Sequence, residues 1–333
     1  MSHSRLNSAI IGLPSVVHKV YPDQIKERIA EMTLLHPQVL NEELTEENLT
    51  VLSHVDVLFA TWGMPALSEK QLAGLPRLKA VFYAAGSVRQ FGEPLLKKGI
   101  LLSSAWQANA IPVAEFTVAA IVLGMNGYYR NNREYTHPEA SRTAFRGPGN
   151  FGETVSLLGA GAIGRKVIEL LAAYHIKINV FDPYLTAENA DILGVRKVSL
   201  DQAFQEGFVV SNHLANIPDT VGMLRGHHLE KMRPNAVFIN TGRGATVNEP
   251  ELIDVLTQRQ DLTALLDVTE PEPPVANSPL YTLRNVLLSS HIAGSQGDEV
   301  VRMAEYALSE FNSWQRGEKL KYQVTLEMLP SMA

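Results

Sequence analysis

The sequence predicts an α/β protein with two domains, each built on a parallel β-sheet whose faces are covered by helices. The chain has 333 residues, and at about 150 residues per domain this length corresponds to two domains. Short apolar runs alternate with stretches that have helical spacing, which is typical of parallel strands joined by helices. One long apolar helical segment interrupts the alternation, and the alternation then restarts. This restart marks the expected boundary between the two domains.

The composition limits the class of function. Hydrophobic residues make up 45% and charged residues 19% of the chain, which permits a sizeable core and argues against disorder. The absence of cysteine excludes disulfides, Cys-ligated zinc, iron–sulfur clusters and a Cys nucleophile. Histidines and carboxylates do not occur at the spacing of zinc ligands, so we expect no metal. The net charge of −6 disfavours nucleic-acid binding and suits a protein that acts on small molecules.

No targeting or membrane segment is expected. The first apolar run, 9–13, is too short for the hydrophobic region of a signal peptide and predicts a buried strand. No stretch approaches ~18 uninterrupted apolar residues, so we expect no transmembrane helix and no membrane partner. We therefore expect a cytoplasmic protein.

The first third of the chain contains four apolar runs bounded by Pro, Gly or charged residues. These runs are rich in Val, Ile and Phe, and they predict strands at 9–13, 55–60, 78–84 and 100–103. Helical spacing occurs at about 23–35 and 68–74. A long apolar helix is predicted over 111–129, with Pro112 in its first turn. The following stretch, 131–150, is predicted to be a loop that lies on a neighbouring surface.

The second part of the chain repeats the alternation. A strand at 155–158, a glycine-rich turn and an amphipathic helix are followed by a strand at 176–181. Further strands are predicted at 208–211, 236–240, 262–268 and 285–289. The chain ends with an amphipathic helix at about 298–316.

The strongest local signal is the sequence Gly-Ala-Gly-Ala-Ile-Gly at 159–164. It follows an apolar strand and opens a helix, and the next strand ends in Asp182, which is the arrangement of a dinucleotide site. Gly159 makes the tight turn, Gly161 lets the backbone approach a pyrophosphate, and Gly164 lets the helix pack on the strand. The Asp182 carboxylate can accept hydrogen bonds from a ribose and would repel a 2′-phosphate, so NAD is favoured over NADP. The alternative is a plain strand–helix turn without a ligand.

Three further motifs each end a predicted strand. Arg243 lies in the turn 240–244, Glu272 in the proline-rich segment 267–274, and His291 in the segment 290–294. Taken singly, each has an ordinary structural interpretation as a surface arginine, a solvated acidic loop or a packed histidine. The carboxyl ends of parallel strands meet at one edge, so we expect all three side chains in one crevice. His213 ends another strand at the same edge. An arginine that binds a carboxylate, beside a His–Glu pair that exchanges a proton, suits hydride transfer to a 2-oxo acid.

With these motifs in this order, the chain resembles the D-isomer-specific 2-hydroxyacid dehydrogenases. The resemblance implies that Arg243 orients the substrate, that His291 is the acid/base and that Glu272 is its partner. It also implies that Asp267 holds the nicotinamide carboxamide. Formate dehydrogenases carry Gln in place of this Glu, so Glu272 argues against that branch of the family.

The resemblance and the glycine motif together define the expected ligand contacts. The residues expected along the NAD cofactor are Gly159, Gly161, Ala162, Ile163, Gly164, Asp182, Pro183, His213, Ala215, Thr220, Thr241, Gly242, Arg243, Asp267 and His291. The residues expected to bind the substrate are Ala85, Gly86, Ser87 and Arg243, with the loop at 84–88 acting through its backbone N–H groups. The sequence departs from the family pattern in several places: Arg89 replaces an acidic residue, Ala215 a Pro, Gly242 an Ala and Thr269 a Phe.

The family architecture implies an insertion of one domain into another. A Rossmann NAD-binding domain at 108–291 is expected inside a flavodoxin-like substrate domain made of 1–107 and 292–333. The long helix and the loop near 131–150 resemble the family's dimer contact, so a homodimer is expected. The main hypothesis is an NAD-dependent dehydrogenase of a small D-2-hydroxy acid that prefers NADH to NADPH. The alternatives are an NAD(H)-sensing, corepressor-like binding protein with little turnover and a different Rossmann enzyme, such as a methyltransferase.

Overall fold

The computed structural model describes residues 5–41 and 43–332. The chain divides into two compact units. Unit 1 comprises Met1–Asn109 and Ser295–Ala333, and unit 2 comprises Ala110–Gly294. These boundaries lie within three residues of the domain boundaries expected from the sequence.

Strands and helices alternate along most of both units. In chain order, the strands are β1 (Asn7–Ile11), β2 (Leu34–Leu35), β3 (Val57–Ala60), β4 (Ala80–Tyr83), β5 (Leu101–Ser104), β6 (Thr154–Leu158), β7 (Lys177–Phe181), β8 (Arg196–Lys197), β9 (Val209–Asn212), β10 (Val237–Asn240), β11 (Thr263–Leu266) and β12 (Val286–Leu288). The α-helices are α1 (Pro14–Val20), α2 (Asp23–Met32), α3 (Glu46–Ser53), α4 (Glu69–Ala73), α5 (Gly92–Lys97), α6 (Trp106–Met125), α7 (Tyr128–Glu134), α8 (Ala162–Leu171), α9 (Ala187–Leu193), α10 (Leu200–Glu206), α11 (Gly226–Glu230), α12 (Glu249–Gln258) and α13 (Val301–Gln315).

In the described part of unit 1, five parallel strands form a sheet in the order β2-β1-β3-β4-β5. This is the flavodoxin-like order, in which the strand order reverses between β1 and β3. Helix α13, near the end of the chain, packs on this sheet. The Phe311 ring lies 5.2 Å from the Phe59 ring and 5.6 Å from the Phe82 ring, centroid to centroid. These buried aromatic contacts complete the core of unit 1 with residues that are distant in sequence.

In the described part of unit 2, seven parallel strands form a sheet in the order β12-β11-β10-β9-β6-β7-β8. The order reverses between β6 and β9, as in a Rossmann fold, and this reversal creates a crevice at the carboxyl ends of the strands. Helix α6 packs closely on one face of this sheet. A Cβ atom on Gly124 would lie only 3.4 Å from the Val237 side chain, so a larger residue would have little space there. The other face is covered by a second core that includes Phe204, Phe238 and Leu256. The predicted α/β class with two doubly wound parallel sheets is confirmed.

The structure differs from the sequence prediction at several element boundaries. Strands β2 and β8 have two residues each and were not predicted, because such short edge strands show no periodicity. Helix α6 begins at Trp106 rather than at 111, so Pro112 lies inside the helix and not in its first turn. Buried residues at the helix start, such as Ala108, belong to the unit 1 core, and tertiary packing therefore extends the helix beyond its local signal. Helix α7 occupies the start of the region predicted as a loop.

Helix α6 bears on the expectation that no segment spans a membrane. By length and composition alone this helix is long and apolar enough to cross a membrane, and 56% of its most apolar window is buried within the protein. Core helices of soluble proteins pass the same test, so the finding is weak support for a membrane span.

Candidate active site

The glycine turn after β6 has a separate requirement at each glycine. Gly159 has a positive φ of 102°, and a Cβ atom there would lie 2.7 Å from the His213 carbonyl oxygen. A Cβ atom on Gly164 would lie 2.1 Å from the Gly159 carbonyl oxygen. A Cβ atom on Gly161 would meet no atom within 4 Å. The fold itself therefore requires Gly159 and Gly164, whereas the missing side chain at Gly161 leaves open space against the turn.

This open space lies at the N-terminus of α8. Gly161 is the N-cap residue, and no side chain of the described residues caps the helix. The first N–H groups of a helix have no intrahelical acceptor and carry partial positive charge. An uncapped helix N-terminus beside an unfilled glycine position fits the pyrophosphate of a dinucleotide.

Asp182 follows β7 and holds the glycine turn. Its two carboxylate oxygens accept hydrogen bonds from the Ala160 and Tyr184 N–H groups, both at 2.7 Å. Pro183 and Tyr184 beside it are exposed. The carboxylate is therefore fixed beside the turn, where a ribose bound to the glycine motif would meet it.

His213 lies at the end of β9 and is buried. Its Nε2 atom lies 3.0 Å from the Ser211 hydroxyl, and its Nδ1 atom lies 3.4 Å from the Thr241 hydroxyl. Burial lowers the pKa of His213 to about 4, so the ring is neutral at neutral pH. The Thr220 hydroxyl donates to the Ala215 carbonyl oxygen, which closes the loop that follows His213.

Arg243 lies in the turn after β10 and is half-buried. Its Nη1 atom donates to the Gly242 carbonyl oxygen at 2.8 Å. Burial lowers the pKa of Arg243, and the charge of Glu272 opposes this shift. Across the described ranges no carboxylate forms an ion pair with this guanidinium. A partly desolvated cation with free donors is suited to bind an anionic ligand.

Gly244 joins this turn to the acidic segment after β11. A Cβ atom on Gly244 would lie 2.0 Å from the Thr269 carbonyl oxygen, a distance that no side chain allows. The backbones of the two segments are therefore in direct contact. This contact fixes the position of Arg243 relative to the segment that carries Glu272.

His291 and Glu272 form a hydrogen-bonded pair. The Nδ1 atom of His291 lies 2.6 Å from Oε1 of Glu272, and the two side chains are 50% and 42% exposed. His291 has a left-handed φ of 58°, an uncommon conformation for a residue other than glycine. The pair borders a cavity of about 640 Å³. The other residues that line this cavity are Asp267, Thr269, Pro273, Pro274, Tyr281, Leu288, Ser289, Ser290 and Ile292.

The buried carboxylate of Asp267 holds the segment that carries His291. It accepts hydrogen bonds from the Ser289 hydroxyl at 2.6 Å and from the N–H groups of Ile292 and Ala293 at 2.8 and 2.9 Å. The Asp267 carbonyl oxygen also accepts from the His291 N–H at 3.0 Å. These contacts give Asp267 a structural role that the sequence did not indicate, beside its expected role at the nicotinamide.

The expected substrate loop lies in unit 1, directly after β4. The N–H groups of Ala85, Gly86 and Ser87 have no acceptor among the residues that the structure describes. The Ser104 hydroxyl donates to the Ala85 carbonyl oxygen at 3.0 Å, which fixes the loop from behind. Consecutive free N–H groups in a fixed loop form an anion-binding surface. Arg89 is exposed at the end of this loop.

The sequence gives no signal for one contact near the His291–Glu272 pair. The Glu249 carboxylate at the start of α12 accepts a hydrogen bond from the Glu270 N–H at 3.0 Å. The two residues lie far apart in the sequence, and no local pattern marks their contact.

Unit 2 also contains a group of possible metal ligands, Asp201, His227 and His228. Nδ1 of His228 accepts a hydrogen bond from the Arg225 N–H at 3.0 Å, so its Nε2 atom carries the ring proton. The Lys231 ammonium lies 2.7 Å from the Asp201 carboxylate. A protonated Nε2 and a neighbouring ammonium both disfavour a metal ion at this position.

Comparison with known proteins identifies the family. The sequence model of the D-isomer specific 2-hydroxyacid dehydrogenase NAD-binding domain matches residues 118–293, which is more than half of the chain. The chain therefore belongs to the D-isomer specific 2-hydroxyacid dehydrogenase family.

A curated relative and several solved structures are similar to this chain. D-3-phosphoglycerate dehydrogenase of Mycobacterium tuberculosis is 29% identical over 228 residues, which cover 68% of this chain and 43% of that protein. The chain thus spans less than half of that relative's length. A phosphoglycerate oxidoreductase from Rhizobium etli has a TM-score of 0.80 at 20% identity, covering 98% of this chain and 100% of that chain.

Two further solved structures have a nicotinamide cofactor bound. The NAD-complexed D-isomer specific 2-hydroxyacid dehydrogenase of Lactobacillus delbrueckii ssp. bulgaricus has a TM-score of 0.74 at 19% identity and covers 96% of this chain and 100% of that chain. An acyclic imino acid reductase, Bsp5, in complex with NADPH and D-Arg, has a TM-score of 0.72 at 22% identity. It also covers 96% of this chain and 100% of that chain. At these sequence identities, the similarity to the solved structures shows a shared fold and nothing further.

The glycine turn yields a prediction that separates ligand binding from folding. Gly161→Ala should leave the melting temperature unchanged, because its Cβ atom meets no protein atom, while raising the Kd for NADH about tenfold. Gly164→Ala should lower the stability by about 1–3 kcal/mol, because its Cβ atom collides with the Gly159 carbonyl group. Thermal unfolding and NADH fluorescence titration measure the two effects. Unchanged NADH affinity in the Gly161→Ala variant would show that the open space is not the cofactor site.

Proposed function

We propose that the protein is an NAD-dependent dehydrogenase that interconverts a small D-2-hydroxy acid and the corresponding 2-oxo acid. The observation that carries this proposal is the His291–Glu272 pair, joined at 2.6 Å. The same unit contains the Arg243 guanidinium, which forms no ion pair with a described carboxylate. A proton donor, its carboxylate partner and an anion-binding cation are the groups that reduction of a 2-oxo acid requires. Membership of the family supports the same reaction.

Each group of the site has a proposed role in the reaction. Arg243 binds the substrate carboxylate and polarises the carbonyl group that is reduced. His291 gives its proton to the carbonyl oxygen during reduction and takes a proton from the hydroxyl in the reverse reaction. Glu272 accepts the hydrogen bond from Nδ1, and this bond orients the ring. The N–H groups of residues 85–87 in unit 1, which have no acceptor among the described residues, are proposed to bind an anionic group of the substrate.

The region 108–291 is proposed to hold the cofactor, and 1–107 with 292–333 the substrate. The uncapped start of α8 and the open position at Gly161 fit the pyrophosphate, and Asp182 fits a ribose. When bound, NADH supplies the hydride. Neutral His213 and Thr241 contact each other near the same strand ends, so they place no positive charge where the nicotinamide is expected.

Replacing the proposed acid/base tests the reaction. His291→Gln should lower kcat by at least roughly 10²-fold, because the carbonyl oxygen then lacks a proton donor. The assay is NADH oxidation at 340 nm with glyoxylate, hydroxypyruvate, phosphohydroxypyruvate, pyruvate and phenylpyruvate, in which the unaltered protein should turn over at least one acid. The Kd for NADH should stay unchanged and serves as the folding control.

Two results would contradict this proposal. Unaltered rates from the His291→Gln variant would remove His291 from proton transfer. If every acid in the panel failed to react while NADH still bound, the proposed reaction itself would be wrong for these substrates.

The cofactor preference depends on Asp182. With the acid that is turned over, kcat/KM should be at least about tenfold higher with NADH than with NADPH, because the fixed carboxylate repels the 2′-phosphate. Steady-state kinetics with both cofactors measure this ratio, and Asp182→Asn should reduce it. Equal kcat/KM values for the two cofactors in the unaltered protein would eliminate the role proposed for Asp182.

We also propose a homodimer that forms through α6 and the region after it, as in the dimer contact that the resemblance implies. Exposed apolar side chains in this region support the proposal, among them Leu123, Tyr128 and Tyr135. Sedimentation velocity should show twice the mass of the chain. Tyr128→Glu should favour the monomer, whereas Ile192→Glu, at an exposed site on α9, should not. A monomeric unaltered protein would contradict this assembly.

A further inference from the structure

Glu249 connects the two segments that carry the proposed catalytic groups. It is the first residue of α12, the helix that follows the Arg243 turn. Its Oε2 atom accepts a hydrogen bond from the Glu270 N–H at 3.0 Å. Glu270 lies two residues before Glu272, the partner of His291. One side chain therefore reaches from the helix after Arg243 to the loop that holds the acid/base pair.

This loop offers few other points of attachment. Proline occupies positions 271, 273 and 274, so the segment 270–274 has only two backbone N–H groups, those of Glu270 and Glu272. Glu249 binds the first, and the second has no acceptor among the described residues. At the start of the loop, the Thr269 hydroxyl donates to the Pro271 carbonyl oxygen at 2.9 Å, which is a contact within the loop. At the far end of the loop, the Tyr281 hydroxyl donates to the Pro274 carbonyl oxygen at 3.1 Å. In the described part of the chain, Glu249 is thus the side chain from a distant segment that binds the backbone at the start of the loop, two residues before Glu272.

We propose that Glu249 is a positioning residue for the acid/base pair: its carboxylate holds the 270–274 loop so that Glu272 meets Nδ1 of His291. The inference rests on the proposed function, since it assigns Glu249 a role in the same reaction. The structure records no contact between Glu249 and His291. It acts through the backbone of Glu270.

The chemistry of the contact indicates which substitution preserves it. Burial raises the pKa of Glu249, the hydrogen bond from the Glu270 N–H opposes this shift, and the charge of Glu270 adds to it. The hydrogen bond needs an acceptor oxygen at this position, and burial disfavours a full negative charge there. Glutamine keeps the oxygen and removes the charge, and alanine removes both.

The matched control lies two residues further along the same helix. The Oε2 atom of Glu251 accepts a hydrogen bond from the Gly226 N–H at 2.7 Å. Glu251→Ala removes the same side chain and the same type of bond from the same helix turn, and with it an ion pair between Oε1 and the Arg225 Nε atom at 3.3 Å. Both contacts hold the start of α11, and the structure records no contact from Glu251 to the 270–274 loop.

Steady-state kinetics on the full chain test the proposal. Glu249→Ala should lower kcat about tenfold, because small displacements of catalytic groups are costly, with the KM for the acid and the Kd for NADH unchanged. Glu249→Gln should keep kcat within about twofold of the unaltered value. Glu251→Ala should lower the melting temperature about as much as Glu249→Ala while leaving kcat unchanged. Equal losses of kcat in the two alanine variants would show that Glu249 contributes only to general stability. This result would overturn the proposal.

A double-variant cycle shows whether Glu249 acts through Glu272. In a Glu272→Gln background, adding Glu249→Ala should lower kcat by less than about twofold, since the pair that it positions is already lost. If Glu249→Ala lowered kcat by the same factor in the Glu272→Gln background as in the unaltered protein, the proposal would be overturned.

Reactivity of His291 separates this inference from the proposed function, because it needs no turnover. Diethyl pyrocarbonate modifies imidazole nitrogens, and mass spectrometry of the His291 peptide gives the rate. Loss of the bond between Nδ1 and Glu272 should change the rate of modification severalfold, in the same direction, in Glu249→Ala and Glu272→Gln, with no change in Glu251→Ala. If Glu249→Ala reacted at the unaltered rate, the positioning role would be wrong even if the protein proved to be a dehydrogenase.

Discussion

The arrangement of the site depends above all on the buried carboxylate of Asp267. Its oxygens accept hydrogen bonds from the Ser289 hydroxyl and from the N–H groups of Ile292 and Ala293. These bonds enclose His291 on both sides and hold it in its left-handed conformation. A buried carboxylate must have its hydrogen bonds satisfied, so the segment has little freedom to take another path. The fixed path brings the imidazole ring to Glu272.

Close contacts between backbones supply the second constraint. Gly159 lies against the carbonyl group of His213, and Gly244 lies against that of Thr269. Each contact joins the ends of two strands, and neither leaves room for a Cβ atom. The ends of β6 and β9 are joined by the first contact, and the turn after β10 is joined to the segment after β11 by the second. Arg243 is therefore held at a fixed position, partly desolvated and without an ion pair to any described carboxylate, and a bound anion would stabilise this arrangement.

Much of the fold and of the site could be predicted from the sequence because the relevant signals are local. Apolar runs identify most strands, and the spacing of Gly159, Gly161 and Gly164 before a helix identifies the dinucleotide turn. Strands β2 and β8 could not be predicted, since two residues carry no periodicity. The early start of α6 at Trp106 was missed as well, because burial of Ala108 in a core formed by distant residues decides it. The anchoring contact between Glu249 and Glu270 joins distant segments and leaves no pattern in either one.

The sequence by itself determined the α/β class, the glycine turn with Asp182, and the set of chemical groups at the strand ends, Arg243, Glu272 and His291. These features follow from side-chain chemistry and from short-range spacing, which a linear pattern records. Only the tertiary structure decided that His291 meets Glu272 at 2.6 Å, that Asp267 serves as a structural anchor, and that Gly161 leaves open space where Gly164 does not. These outcomes depend on which backbones lie against each other when the sheet forms. Distances between segments that are remote in the chain are set by packing, which no local spacing encodes.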